Sequence, residues 1–228
     1  MSVFDYSGDA ERAMDVVLKG GIAIIPTTVG YVILGATTDA INKTISAKQR
    51  GPSKLNAVIG CASMHAALHL LDGRNRRAVR TITQDYDLPM GAVAPVNADH
   101  PMLKKLDPDV FQRTTLGGTL AMLLNAGPLM DKMAQLSFEA GTLVVGSSAN
   151  LSLQGTKFSA TDIEPEVLDA ADLVIDHGLM RWANYQKSST MINVHDWEIV
   201  RYGSCFDLIS DVLLRHYDIS LPSQASPI

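Results

Sequence analysis

Cysteine is scarce in this chain. Cys61 and Cys205 stand far apart among 228 residues. That is too few for a disulfide framework, and they lack the spacing of zinc ligands. A reducing, cytoplasmic setting fits. Positive charge is also short: 19 Lys and Arg against 24 Asp and Glu leave a net charge of −5. A broad basic face for gripping nucleic acid is therefore not expected. The densest basic cluster, Arg74, Arg76, Arg77 and Arg80, has the spacing of a solvated helix face. No apolar run approaches the roughly 20 residues that cross a bilayer, so no membrane partner is expected. The start, Met-Ser-Val-Phe-Asp-Tyr, carries no basic segment followed by an apolar core, so a signal peptide is not expected either. Internal repeats and low-complexity tracts are missing.

What is present is core. Hydrophobic residues make up 46% of the chain and charged residues 19%, which suits one packed domain rather than disorder. The reading is a single domain over residues 1–218 with a frayed Ser/Pro tail over 219–228. Apolar periodicity predicts helices over 9–19, 64–71, 74–83, 128–140, 163–170 and 206–216. Short strands are expected over 22–25, 32–34, 55–60, 92–96, 119–124, 142–145 and 173–175. Residues 190–194 and 198–201 read as a hairpin. Thr38 or Asp39 is expected to cap a helix ending in Lys48-Gln49-Arg50, and Ser63 to cap the helix from Met64. The interleaving predicts an α/β fold with a twisted mixed sheet.

Two stretches carry chemistry. In the first, the apolar run Ile22–Ile25 stops at Pro26 and opens onto Thr27, Thr28, Gly30 and Tyr31, followed by the cations Lys48, Arg50 and Lys54. Hydroxyls at a strand end and cations at a helix exit suit a phosphorylated ligand. The plainer readings are turn chemistry and cations meeting the negative end of a helix dipole. The second is Gly146-Ser147-Ser148-Ala149-Asn150 after a buried-type strand. It offers small hydroxyl and amide groups to phosphate or ribose; an Asn/Ser turn alone explains the same composition. His65 and His69 have a spacing that can bind metal, but no third ligand lies beside them, so a partly buried helix face is preferred and no metal site is assigned.

Taken in order, these motifs resemble the YrdC-like family. The residues that carry the likeness are Gly20-Gly21 through Pro26-Thr27, Lys48-Gln49-Arg50, Ser148-Ala149-Asn150, Ser189-Thr190-Met191-Ile192 and Ile199-Val200-Arg201-Tyr202-Gly203. The likeness covers about residues 8 to 215. It implies a twisted α/β sheet around a large concave cavity, in which ATP, with Mg²⁺, bicarbonate and L-threonine become threonylcarbamoyl-AMP and pyrophosphate. On that likeness Lys48 and Arg50 contact phosphates and carboxylates. Ser148 and Asn150 hold the nucleotide, with Ser147 and Lys54 beside them. Arg201 approaches the nucleotide, and Thr27, Thr28, Tyr31 and Ser189 line the small-substrate end.

The chain departs from the family pattern. Thr28 stands for an acid, Val29 for a Thr, Val32 for a Gly, and Leu123-Leu124-Asn125 for an Arg-containing strand. Three functions are therefore weighed. They are the family reaction; a repurposed enzyme on the same scaffold, acting on another carboxylate, amine or carbamoyl compound with or without ATP; and a non-catalytic nucleotide- or RNA-binding module, disfavoured by the negative charge. The departures predict weak preference for L-threonine. The partner expected is a small molecule, with the oligomeric state, homodimer included, left open.

Overall fold

Side-chain alternation along short strands builds this molecule. A computed structural model describes residues 3–49 and 56–223. Helix α1 (Tyr6–Leu18) starts at Asp5, whose carboxylate accepts from Gly8 N, and buries Ala10, Ala13, Met14 and Val17. Gly20, at φ 85°, then turns the chain into strand β1 (Ala23–Thr27). β1 pairs antiparallel with β2 (Gly30–Gly35), from Ala23↔Leu34 to Thr27↔Gly30. Helix α2 (Thr38–Ala47) follows, capped by Thr37 and not by Thr38 or Asp39: the Thr37 hydroxyl accepts from Ala40 N at 3.2 Å.

Strand β3 (Ala57–Gly60) leads to α3 (Ala62–Leu68). Its N-cap is Cys61, which makes no capping hydrogen bond, and Ser63 lies inside the first turn. Helix α4 (Gly73–Arg80), capped by Asp72, runs into a wider π turn over Thr81–Asp85. Then come β4 (Met90–Pro95), the short helices α5 (Pro101–Lys104) and α6 (Pro108–Thr114), and the hairpin β5 (Thr115–Leu116) and β6 (Thr119–Leu124). Helix α7 (Pro128–Glu139) buries Met130 and Met133 as core filler. Strand β7 (Val145–Ser148) begins three residues later than expected, so Gly146, Ser147 and Ser148 are strand residues, not the turn beyond it. Helix α8 (Pro165–Leu168), strands β8 (Leu173–Val174), β9 (Met191–Asn193) and β10 (Glu198–Arg201), and helix α9 (Phe206–Tyr217) complete the order.

The strands form one mixed sheet in the order β10-β9-β4-β6-β3-β7-β2-β1-β8, with β5 added to β6. Pairs β1/β8, β3/β6 and β4/β9 are parallel and the others antiparallel. The main core joins α1, α3, α7 and α9 to the sheet. A second core gathers Ile22, Ile24, Tyr31 and Ile33 with Phe158, Ile163, Val167 and Met180. After α9, Leu221 is buried in the main core and the Tyr202 hydroxyl donates to Pro222 O at 3.2 Å; the tail from residue 224, expected to fray, lies outside the described residues. Among the described residues no helix is long and apolar enough to cross a membrane.

Candidate active site

Register alone places a continuous face across the sheet. Ile59 is beside Leu123, Leu123 beside Gly91, Gly91 beside Met191, and Met191 beside Arg201. One step along the strands, Leu34 pairs with Gly146 and Gly146 with Ala57, while Ala121 pairs with Val93. Side chains two apart on a strand share a face, so these rows form one floor. A cavity of about 900 Å³ lies over it, and all of these residues line it. Glycine is required where the floor is crowded. A Cβ on Gly91 would come within 2.6 Å of Met191 Cγ, and one on Gly146 within 2.4 Å of Leu34 Cδ2.

The first polar pole is built by Lys48. It is the C-cap of α2 and only 2% exposed. Its ammonium donates to the backbone carbonyls of Ser148 and Asn150, and Asn150 Oδ1 lies 3.5 Å away. Ser148 Oγ donates to Asn150 Oδ1, and Asn150 Nδ2 to Leu151 O. Ser152 N returns to Lys48 O at 3.0 Å. The buried cation therefore locks the Ser-Ala-Asn turn against the end of α2 through charge-assisted bonds. The turn is held from behind too: Leu151 N donates to Glu164, which pairs with Lys157 at 2.6 Å. Lys48, Ser147, Ser148 and Asn150 all line the cavity.

The second pole is Arg201, with Ser188 and Ser189. Arg201 Nε and Nη2 donate to Ser189 O at 3.1 and 2.9 Å, and Nη2 also reaches Ser188 Oγ and Ser189 Oγ. Nη1 makes no hydrogen bond among the described residues, so that edge of the guanidinium is open to a ligand. Surrounding protein lowers the Arg201 pKa by desolvation. Gly203 permits this corner, because a Cβ there would stand 2.3 Å from Ser188 O and 2.4 Å from Thr190 N. Thr190 Oγ1 accepts from Gly203 N and donates to Ser204 O. From β7 to β10 the two poles are five strand spacings apart, about 24 Å along the curved sheet.

Three residues assigned to the small-substrate end lie elsewhere. Tyr31 is fully buried in the second core, with its hydroxyl donating to Asp176 Oδ1 at 2.5 Å. Burial and the Asp176 carboxylate raise its pKa. Period-two alternation is the reason: Val32 and Leu34 take the cavity side of β2, so Tyr31 and Ile33 take the other. Thr27 is spent on its own turn, donating to Gly30 O at 2.6 Å and accepting from Val29 N at 3.2 Å. Thr28 lies in that turn, its backbone bonded to Ala126 and Trp182. Arg50 and Lys54 lie outside the described residues. His65 and His69 are bonded to each other, Nδ1 to Nδ1 at 2.8 Å, with His69 Nε2 donating to Leu120 O. Burial pushes their pKa values down to about 4 and about 3, so both are neutral at pH 7.

Sequence reasoning missed several wall residues. Asn56, 6% exposed, lines the cavity just before β3, and Lys187 with Gln186 lines it before Ser188. Glu198 contributes a carboxylate. A polar residue directly before an apolar strand was the available signal for Asn56.

A mixed sheet carrying a large cavity on one face, with a lysine-pinned Ser-x-Asn turn and an arginine at opposite ends of that cavity, defines the class: a cavity-bearing α/β protein. Residues 15–203 match the family model Sua5/YciO/YrdC, described as telomere recombination, and the chain belongs to that family. No curated protein matches the sequence. Among solved structures, a hypothetical protein of Streptococcus mutans UA159 superposes with a TM-score of 0.76 at 20% identity, covering 92% of this chain and 93% of that one. Sua5 of P. abyssi, complexed with L-threonine, gives 0.73 at 17% identity over 97% of this chain and 61% of its own. HypF in a phosphate- and nucleotide-bound form gives 0.65 at 15% identity, over 86% of this chain and 29% of its own.

Proposed function

We propose that this protein is an ATP-dependent nucleotidyltransferase of the threonylcarbamoyl-AMP synthase kind, joining a carbamoylated amino acid to AMP with release of pyrophosphate. The observation that carries the reading is the pair of poles. The Lys48–Ser148–Asn150 turn stands at one edge of a cavity large enough for a nucleotide and a second small molecule, and Arg201 with Ser189 stands at the other. ATP phosphates would meet the Ser-x-Asn turn, where the Ser148 hydroxyl and the Asn150 amide would exchange their bonds within the turn for phosphate oxygens. Arg201 would present its open edge to an anionic group, as a planar fork does well. Family membership and the neighbours' bound ligands, L-threonine for Sua5 and nucleotide for HypF, support the same chemistry.

The reaction asks little covalent work of the protein. The carbamate oxygen attacks the α-phosphorus, the bond to the bridging oxygen breaks, and pyrophosphate leaves. Cations and fixed donors stabilise the charge that develops on phosphate. Among the described residues no group of three potential metal ligands occurs. Mg²⁺ brought in with ATP would supply neutralisation of phosphate charge.

The test is pyrophosphate release from ATP and bicarbonate across a panel of amino acids and small carboxylates. The reading expects ATP-dependent release with at least one member. Turnover of a panel compound without ATP would replace it with the repurposed enzyme, a reading favoured by one observation: Leu123 lies at the centre of the cavity floor.

A further inference from the structure

The Ser-x-Asn turn is gripped through its backbone from two sides. Lys48 donates to Ser148 O, and Ala149 N, at the other end of the same peptide unit, donates to Tyr31 O at 2.8 Å. Lys48 also donates to Asn150 O, and Leu151 N, at the other end of that unit, donates to Glu164 Oε2 at 3.1 Å. The peptide after Asn150 therefore lies between a cation on its carbonyl and a carboxylate on its N–H. These bonds matter most when the cavity fills. A phosphate that takes the Ser148 hydroxyl and the Asn150 amide removes the side-chain bonds inside the turn. The backbone bonds are then what keeps its shape.

Glu164 is itself held. Its Oε1 pairs with Lys157 Nζ at 2.6 Å, and the two side chains are only 18% and 17% exposed. Each adjoins a buried residue of the second core, Ile163 and Phe158, which anchors the backbone on either side of the pair. Lys157 O accepts from Tyr31 N at 2.8 Å, so the β2 residue that holds Ala149 also holds Lys157. Gly30 allows that approach, because a Cβ there would stand 3.0 Å from Lys157 O and 2.2 Å from Thr156 Cγ2. Burial works against the charge on Glu164, but the bonds from Lys157 and from backbone N–H groups lower its pKa overall. Neither Lys157 nor Glu164 lines the cavity. A half-buried ion pair returns little net stability to a fold; this one converges instead on a single N–H of the turn.

We propose that Glu164, oriented by Lys157, is a positioning residue for the phosphate-binding turn. It holds the peptide after Asn150 in place while the Asn150 amide turns from Leu151 O to a phosphate oxygen. The inference rests on the preceding reading of that turn as the phosphate site. The role needs two acceptors on one side chain, one for Leu151 N and one for Lys157. A carboxylate has both. An amide has one oxygen, and its NH₂ group would face a donor. In Glu164→Gln the ammonium claims that oxygen, since its bond is charge-assisted, and Leu151 N loses its partner.

The experiment is calorimetric titration of ATP into the full chain as wild type, Glu164→Gln, Lys157→Met, the double variant, and Glu166→Gln as a control at an exposed position on α8. Exchange of the Leu151 amide is followed by NMR in the same proteins without ligand. Glu164→Gln should bind ATP about 10-fold more weakly and exchange the Leu151 amide faster. Lys157→Met keeps the carboxylate on Leu151 N and should stay within about 5-fold of the wild type. The double variant frees the amide oxygen for Leu151 N, so affinity and protection should both recover to that level. A loss due to general destabilisation would instead grow with the second substitution. Glu166→Gln should match the wild type. Equal ATP affinity in the wild type and Glu164→Gln, or a double variant weaker than Glu164→Gln, overturns this inference and leaves the nucleotide reading standing. No ATP binding by the wild type, with Leu151 protection lost and regained as expected, defeats the nucleotide reading and supports Glu164 as the residue that positions the turn.

Discussion

Asp131 is a carboxylate whose pKa is raised by burial. Its Oδ1 is buried without a hydrogen-bond partner, near the start of α7. Burial, and then the charge of Asp87, push its pKa from 3.8 up to about 7. Between those values the folded state keeps a proton that the unfolded chain has released. Stability therefore falls as pH rises through that window, and the penalty is complete above pH 7. Asp131→Asn should match the wild type near pH 4 and exceed it by about 1–3 kcal/mol at pH 8. Denaturant titrations at the two pH values check this, and a gap that does not change with pH would contradict it. At this scale the sequence was legible for Lys48, Ser147, Ser148, Asn150, Ser189 and Arg201, all of which line one cavity. It was not legible for Tyr31. A phenol just after a turn reads as a site residue until pairing shows which side of β2 it takes, and a one-residue change of parity reverses the answer.

Elements explain why short motifs far apart in sequence belong together. Lys48 ends α2 and pins the turn after β7, so Lys48 and the Ser-x-Asn motif are two halves of one local structure. The closing Arg-x-Gly motif has a steric basis. Arg201 is held by Ser188 and Ser189, and that same segment passes so close to Gly203 that a Cβ would overlap backbone atoms. Gly203→Ala should therefore move the corner that carries Arg201. The expected outcome is a loss of about 1–3 kcal/mol in stability, with weakened ligand binding measured by calorimetry on the folded fraction. A variant with wild-type melting temperature and ligand affinity would contradict this account of the motif. Element types were largely readable from periodicity, as with α1, α7, β1 and β6. Boundaries were less so. Val145–Ser148 was displaced because Thr142–Val144 has the composition of a buried strand, and composition does not say where ladder pairing begins. The cap of α2 fell on Thr37 because three candidate capping residues stand in a row.

The whole molecule joins these parts into one cavity. Its mixed sheet could be expected from interleaved strands and helices, but not its strand order. Only long-range pairing brings Arg201 of β10 into the same face as Leu123 of β6 and Ser148 of β7. A net charge of −5 makes local cations the means by which this chain would hold a polyanion. The central claim is that the cavity binds a nucleotide between the two poles. The most direct measurement is calorimetric titration of ATP into the wild-type chain, Lys48→Ala and Arg201→Lys. The account expects one ATP per wild-type chain. It expects affinity about 10- to 150-fold weaker in Lys48→Ala, because the turn that would meet the phosphates loses the charge-assisted bonds, about 1.5–3 kcal/mol each, by which Lys48 pins it. A measurable loss is expected in Arg201→Lys, because the charge stays while the planar fork is removed. No ATP binding by the wild type, or the same affinity in all three proteins, would contradict it.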